Sequence, residues 1–324
     1  MKKLSLLLAG IVLASLSVIA LKETSKTTIL KSYRALTADS NDAQELFNKG
    51  LKELGQENWS AALTCFQKAK EKNPQSADVW FQLGYCYDEL GRYQDAVEAY
   101  KQAIRIKLDF AEAHYGLGNV YGELDRHQDA IEAYKQAIRI KPDDANAHSD
   151  LGLNYGMLGR YQDAVEACKQ VIRIKPDDAK AHSDLGLNYG MLGRYQDAVE
   201  TYMQTIRIKP DLAEAHNNLG NVYGELGRYQ DKIEACKQVI RIKPDDAEAH
   251  YNLGDAYGKL GRWQDAVEAF KQAIRIKPDL AEAHSGLGVI YLITGDKDSA
   301  LEEYKILKTL DAEQANELFN LIYK

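Results

Sequence analysis

The sequence predicts an all-α protein, a solenoid in which pairs of antiparallel helices stack side by side. Three observations predict it: a period of 34 residues, apolar residues at helical spacing twice in each period, and proline at one fixed place. The composition agrees, because 45% apolar and 27% charged residues are typical of a folded chain. The formal charge of -7 is spread along the chain without a basic patch, so nucleic acid is not expected as a partner.

The first 21 residues differ from all that follows. Lys2 and Lys3 precede a stretch without charge, from Leu4 to Leu21, which is typical of an export signal. Its 18 residues exceed a usual signal-peptide core and just reach the length of a membrane span, so cleavage and anchoring both stay open. A cut after Ala20 is slightly favoured by the small residues there. We expect export across the plasma membrane, to a periplasm or the cell surface, with membrane attachment through residues 4–21 as the alternative to release.

Residues 22–42 are mixed and polar and are predicted to be a linker. Eight units follow over residues 43–314, and they begin at Ala43, Ala77, Ala111, Ala145, Ala179, Ala213, Ala247 and Ala281. In the unit that begins at Ala247, Gly261 is predicted to end the first helix and Pro278 to stop the second. Asp279 is expected to cap the next helix. Residues 315–324 are rich in apolar side chains and are predicted to form a closing helix.

The unit that begins at Ala77 carries a known motif. Trp80, Leu83, Gly84 and Tyr87, followed by Ala96 and Tyr100, resemble the W-x2-L-G-x2-Y and A-x3-F pattern of the tetratricopeptide repeat (TPR) family. The resemblance covers about five sixths of the chain. It implies a right-handed superhelix whose first helices line a concave groove. Such a groove receives a peptide or a partner's helix, so the resemblance implies a non-catalytic scaffold for protein interactions.

In the family, places two, five, six, nine, twelve and thirteen of each unit face the groove. On that basis the groove residues are Tyr115, Asn119, Leu153, Met157, Lys180, Leu187, Met191, Asn217, Asn218, Asn221, Tyr251, Asn252 and Asp255. The middle of this set is apolar and its flanks are rich in amides, which suits an extended segment with its side chains in the middle and its backbone bound to asparagines. Units four and five are near-identical copies, so duplication also explains part of the pattern.

Some family members hold a C-terminal carboxylate with lysine, arginine and asparagine. Here Asn119 and Lys180 match, but Tyr115, Asp150 and Asp184 replace the other groups. Because negative charge stands where the carboxylate would bind, we expect no binding of acidic C-termini.

No catalytic group, cofactor, metal site or small-molecule substrate is expected. Histidines recur at the fourth place of six successive units, but helices that pack about 8–10 Å apart cannot bring them to one zinc ion, so a packing role is preferred. The cysteines lack metal-ligand spacing, and no nucleophile has a base beside it. Cys65 and Cys86 lie on adjoining predicted helices, where they form either a disulfide, if the domain is exported, or part of the core.

Glycine at the eighth place, such as Gly186, is expected to let the two helices of a unit approach closely against alanines such as Ala198. Lys232 takes that alanine's place in unit six, so we expect this joint to be the loosest unless the side chain reaches outward. Two functions remain open from the sequence. The first is an exported interaction scaffold, and the second is a membrane-anchored structural or assembly subunit of a larger complex.

Overall fold

The computed structural model of the protein describes residues 41–323. Within that range the chain consists of helices and turns without a strand, so the predicted all-α repeat fold is confirmed. The chain divides into two compact bodies between Pro142 and Asp143. The charge-free segment 4–21 and nearly all of the predicted linker lie outside the described residues. In 41–323 no helix is both long and apolar enough to span a bilayer.

The N-terminal body contains three helix pairs. Its helices are α1 (41–54), α2 (Trp59–Lys72), α3 (Ala77–Glu89), α4 (Tyr93–Ile106), α5 (Ala111–Glu123) and α6 (His127–Ile140). Residues 41 and 42, which the sequence analysis assigned to the linker, are already helical.

The C-terminal body contains five further pairs and one last helix. These are α7 (Ala145–Met157), α8 (Tyr161–Ile174), α9 (Ala179–Met191), α10 (Tyr195–Ile208), α11 (Ala213–Glu225), α12 (Tyr229–Ile242), α13 (Ala247–Lys259), α14 (Trp263–Ile276), α15 (Ala281–Ile293), α16 (Lys297–Leu310) and α17 (Ala312–Ile322). Odd-numbered helices up to α15 are the first helices of their units, and even-numbered helices are the second.

The contacts between helices show which helices line the concave face of each body. Each second helix packs against the first helix of its own unit and against that of the next unit within its body. First helices of neighbouring units also touch, as α9 touches α11 and α13 touches α15, whereas second helices of neighbouring units have no comparable contact in the described range. The first helices are therefore the closer-set layer, and they line the concave face of each body.

Local sequence explains where the helices end and begin. Gly261 follows a first helix with φ 71°, the left-handed conformation that glycine adopts without strain. The expected cap Asp279 does not serve that role, because the residue that precedes α15 is Leu280, which has no side-chain acceptor. Where that residue is aspartate, as at Asp178 and Asp246, its carboxylate accepts an N–H from the first turn. The residue that caps a first helix thus lies one place later in the unit than predicted.

At five of the eight eighth-place glycines, among them Gly186 and Gly254, the close approach is to a ring, whereas at Gly152 and Gly220 it is to an alanine of the second helix. A Cβ atom at Gly186 would stand 2.9 Å from the ring of Tyr202, and one at Gly254 would stand 2.8 Å from that of Phe270. The alanines named with these glycines, such as Ala198, are fully buried as well. The glycine therefore leaves room for the aromatic side chain of the second helix.

The closing helix α17 begins at Ala312, three residues before the predicted start. Asp311 caps it by accepting the backbone N–H groups of Glu313 and Gln314. Its apolar face buries Leu318 and Ile322 against both helices of the last unit. The end of the solenoid is covered in this way, as repeat proteins require.

Candidate functional site: the concave face of the C-terminal body

Four long apolar side chains of the predicted groove are exposed to solvent. Leu153 and Met157 of α7 are 64% and 62% exposed, and Leu187 and Met191 of α9 are 53% and 54% exposed. We refer to these four residues as the apolar patch. Most side chains of this size in a folded protein are removed from water, so a group of four marks a surface that a partner can cover.

The apolar patch is one surface because its two helices are neighbours. Residues four apart on a helix share a face, which places Leu153 beside Met157 and Leu187 beside Met191. The helices approach each other at Gly156, where a Cβ atom would stand 3.8 Å from Oδ1 of Asn188. Because Gly156 has no side chain, nothing at this residue projects between the Leu153–Met157 pair and the Leu187–Met191 pair.

Asparagines continue the concave face beyond the apolar patch. Asn217, Asn218 and Asn252 are half-buried, and Asn221 is exposed. Their side-chain amides make no hydrogen bond to another residue of the 41–323 range. An amide offers both a donor and an acceptor, so these four groups suit the backbone of an extended chain.

Tyr115 and Asn119 belong to the N-terminal body, so the structure does not join them to the apolar patch. The hydroxyl of Tyr134 donates to Oδ1 of Asn119 at 2.8 Å, and the rings of Tyr115 and Tyr134 lie 5.8 Å apart. The amide of Asn119 thus already has a partner inside its own unit.

Lys232 reaches into the concave face and forms a salt bridge there. Its side chain is only 10% exposed, and its Nζ lies 2.9 Å from Oδ2 of Asp255, a predicted groove residue that is 34% exposed. Room for the lysine comes from Gly224, where a Cβ atom would meet Cδ of Lys232 at 3.4 Å. The expected loose joint in unit six is therefore bridged to unit seven by an ion pair.

Negative charge predominates on the concave face of this body. At the six groove places of units four to eight there are seven carboxylates, Asp150, Asp184, Glu214, Glu225, Glu248, Asp255 and Glu282, and two lysines, Lys180 and Lys259. Burial raises the pKa of Asp184, and the nearby Asp178 and Glu214 raise it further while Lys180 opposes them. The excess of carboxylates therefore favours a positively charged ligand on this face.

A pocket at the far end of this face includes residues that the sequence analysis did not select. It has a volume of about 410 Å³. Tyr251 and Asp255 were predicted, whereas Glu282, Val289, Ile293 and Glu317 were not. The signal for two of them was present, since Val289 and Ile293 put apolar side chains at the ninth and thirteenth places, as the apolar patch does.

The histidines at the fourth place take part in a repeated turn contact. Nε2 of His182 donates to the carbonyl of Pro176 at 2.9 Å, and Nε2 of His250 donates to that of Pro244 at 3.1 Å. In unit two the indole N–H of Trp80 donates to the carbonyl of Pro74 at 2.9 Å. Histidine and tryptophan at the fourth place thus make the same contact, since the ring N–H of each donates to the carbonyl of the proline six residues earlier.

The cysteines are buried free thiols. The disulfide between Cys65 and Cys86 in an exported protein stays a prediction. Burial raises the pKa of the Cys86 and Cys168 thiols to about 12 and that of Cys236 to about 11. A thiol in such surroundings is a poor nucleophile.

Comparisons with known proteins agree with the repeat architecture. Family models described as "TPR repeat" match residues 87–125, 189–227, 220–261 and 254–295. Models described as "Tetratricopeptide repeat" match residues 65–98, 111–144 and 145–178. The chain belongs to the tetratricopeptide repeat family, whose fold is typical of scaffolds for protein interactions.

Solved structures show the same fold. The C-terminal part of a TPR repeat-containing protein from Cytophaga hutchinsonii superposes with a TM-score of 0.67 at 18% identity, over 74% of this chain and 99% of that one. YrrB, described as a TPR protein with an unusual peptide-binding site, matches with a TM-score of 0.53 at 22% identity, over 57% and 95%. The MamA protein matches with a TM-score of 0.51 at 27% identity, over 54% and 96%.

Proposed function

We propose that the C-terminal body binds an extended segment of a partner protein on its concave face, without chemistry of its own. The observation that carries this proposal is the apolar patch, in which four aliphatic side chains more than half exposed lie on two adjacent first helices. Asparagine amides without partners in the described residues lie beside it and suit the partner's backbone. YrrB, which shares the fold, is described as having a peptide-binding site, so the fold can carry one.

The apolar patch is the proposed anchor of binding. Burial of apolar surface yields about 25 cal/mol per Å², and a Leu or Met side chain that becomes fully covered contributes about 1.5–3 kcal/mol. Replacement of Leu153 or Leu187 by aspartate would remove that contribution and add a charge that resists burial. Each substitution is therefore expected to lower the affinity for the partner at least about tenfold.

The test is photo-crosslinking of the full chain in its native cell. A p-benzoylphenylalanine residue at Met157 should capture a partner that is identified by mass spectrometry. The capture should be lost when Leu153→Asp or Leu187→Asp is added. Met203→Asp is the matched control, because Met203 is 42% exposed but lies on the second helix α10. The proposal is wrong if the captured partner survives both substitutions on the concave face, or if Met203→Asp removes it equally.

We also propose that the protein works outside the cytoplasm. The proposal is supported by Lys2 and Lys3 ahead of the charge-free residues 4–21. Sequencing the N-terminus of the mature protein distinguishes a cleaved, soluble form from a membrane-anchored form. A start near Leu21 would favour a soluble adaptor, and an intact start would favour a membrane-anchored assembly subunit.

A further inference from the structure

Two glycines lie in the wall of the pocket at the C-terminal end of the concave face. Gly258 of α13 and Gly286 of α15 both line it. A Cβ atom at Gly286 would stand 2.7 Å from Cζ of Phe270, and one at Gly258 would stand 3.3 Å from Cδ1 of Ile290. Units six and seven have asparagine, Asn218 and Asn252, where unit eight has Gly286. The ring of Phe270, which also lines the pocket, therefore lies directly against the backbone of α15 in this last unit.

The walls of the pocket are aromatic and aliphatic. Tyr251 and Trp263 are half-buried, and the rings of Tyr251 and Phe270 lie 5.9 Å apart. Val289 and Ile293 of α15 continue the wall, and Ile293 is 53% exposed. A volume of about 410 Å³ falls within the range of small-ligand sites, so it accommodates a long side chain together with some backbone.

Carboxylates surround these apolar walls. Asp255 is held by Lys232, and Lys259 at the end of α13 is the cation that lines the pocket itself. Glu282 of α15 and Glu317 of α17 have no salt bridge with any residue of 41–323. Burial raises the pKa of Tyr251, and the nearby carboxylates of Asp255 and Glu282 raise it further.

We propose that this pocket takes the side chain of a lysine or arginine from the bound segment. The inference rests on the proposed function and specifies the partner's chemistry. The methylene groups of such a side chain pack on Val289 and Ile293, while its charged end reaches Glu282 and Glu317. A cation near the aromatic rings gains further from their negative faces.

Charge along the rest of the concave face supports a basic partner. Glu214, Glu225 and Glu248 also have no salt bridge within the described part of the chain. A segment with apolar residues for the apolar patch and a basic residue for the pocket complements both ends of the face.

The test uses three fluorescein-labelled peptides of twelve residues with the full-length protein. All have leucine at alternate places, and the places between hold lysine, glutamine or glutamate. Anisotropy should show that the lysine peptide binds most tightly. Glu282→Gln with Glu317→Gln removes two exposed charge contacts. It should weaken binding of the lysine peptide about five- to tenfold and leave binding of the glutamine peptide unchanged.

The matched control is Glu225→Gln with Glu248→Gln, which removes the same charge from the same face outside the pocket. An equal loss in the control would overturn the pocket assignment, because the charge would then act through the whole face. If all three peptides bind alike and Leu153→Asp abolishes binding, the concave-face function stands and the cation pocket is wrong. If none of the peptides binds at millimolar protein, both proposals fail.

Discussion

The ion pair between Lys232 and Asp255 allows a sharp prediction about how units six and seven are joined. In Asp255→Asn the ammonium of Lys232, whose side chain is 10% exposed, loses its partner while it stays buried. Loss of one partner from a fully buried pair costs about 3–5 kcal/mol, and an exposed pair is worth about 0.2–1 kcal/mol. Asp255 is 34% exposed, so an intermediate cost of about 2 kcal/mol is expected.

Lys232→Ala should cost less than Asp255→Asn, because the carboxylate left behind regains contact with water. Alanine also fits this place, since Ala198 and Ala266 are fully buried at the equivalent places of neighbouring units. The double variant has neither the buried cation nor the bare carboxylate and should return close to the wild type. The coupling energy from the double-mutant cycle is the sum of the two single costs and is therefore expected to be at least about 2 kcal/mol.

The assay is urea unfolding followed by far-UV circular dichroism, with midpoints compared at constant slope. Because a solenoid can unfold unit by unit, hydrogen exchange of α12 and α13 should locate the loss. Glu234→Gln is the control, since Glu234 pairs with Lys237 at 3.1 Å on the exposed side of α12. Equal costs for the two single variants, or costs that simply add in the double variant, would refute the reasoning.

Three further outcomes follow from the packing and the pKa shifts. Gly190→Ala should raise the free energy of unfolding by up to about 1 kcal/mol, because no atom lies within 4 Å of the added Cβ. Gly186→Ala should lower the free energy of unfolding by about 1 kcal/mol or more, because its added Cβ meets the ring of Tyr202. Urea midpoints of the two variants that move in the same direction would contradict this prediction. Burial, with Glu89 and Glu123, raises the pKa of Asp88 from 3.8 to about 6, so the native state binds this proton more tightly than the unfolded chain. The stabilisation present below about pH 4 is therefore lost as pH rises towards 6, and Asp88→Asn should flatten this dependence in unfolding curves and raise stability at pH 7. The Cys86 thiol, with its pKa raised to about 12, should react with a disulfide reagent at pH 8 only after the protein is unfolded, and rapid labelling of the native protein would contradict its buried state.

The sequence predicted the repeat architecture well because one physical rule acts eight times. A 34-residue unit with two apolar helical faces cannot bury both alone, so its period determines which helices pack together. Glycine at Gly261 marked the end of a first helix for the same local reason in most units. The cap was misplaced by one residue because Asp279 and Leu280 are adjacent, and only backbone geometry shows which of them precedes the helix.

Contacts between units were much harder to predict. The partner of Lys232 is Asp255, 23 residues away in the next unit, and no spacing within a single unit indicates it. The pocket combines Gly286, where units six and seven have asparagine, with Glu317 from the closing helix. A repeat pattern describes what units have in common, so a site made from the differences between neighbouring units requires coordinates.

The apolar patch is informative because stacking does not require it. The ninth and thirteenth places hold Leu153 and Met157 in unit four but Asn221 and Glu225 in unit six. Both units pack into the same solenoid, so the fold is satisfied by polar side chains at these places. Duplication explains why units four and five resemble each other, but it does not explain why their shared pattern exposes aliphatic side chains to water. Under the proposed function, a partner that covers these side chains supplies the reason that the fold does not.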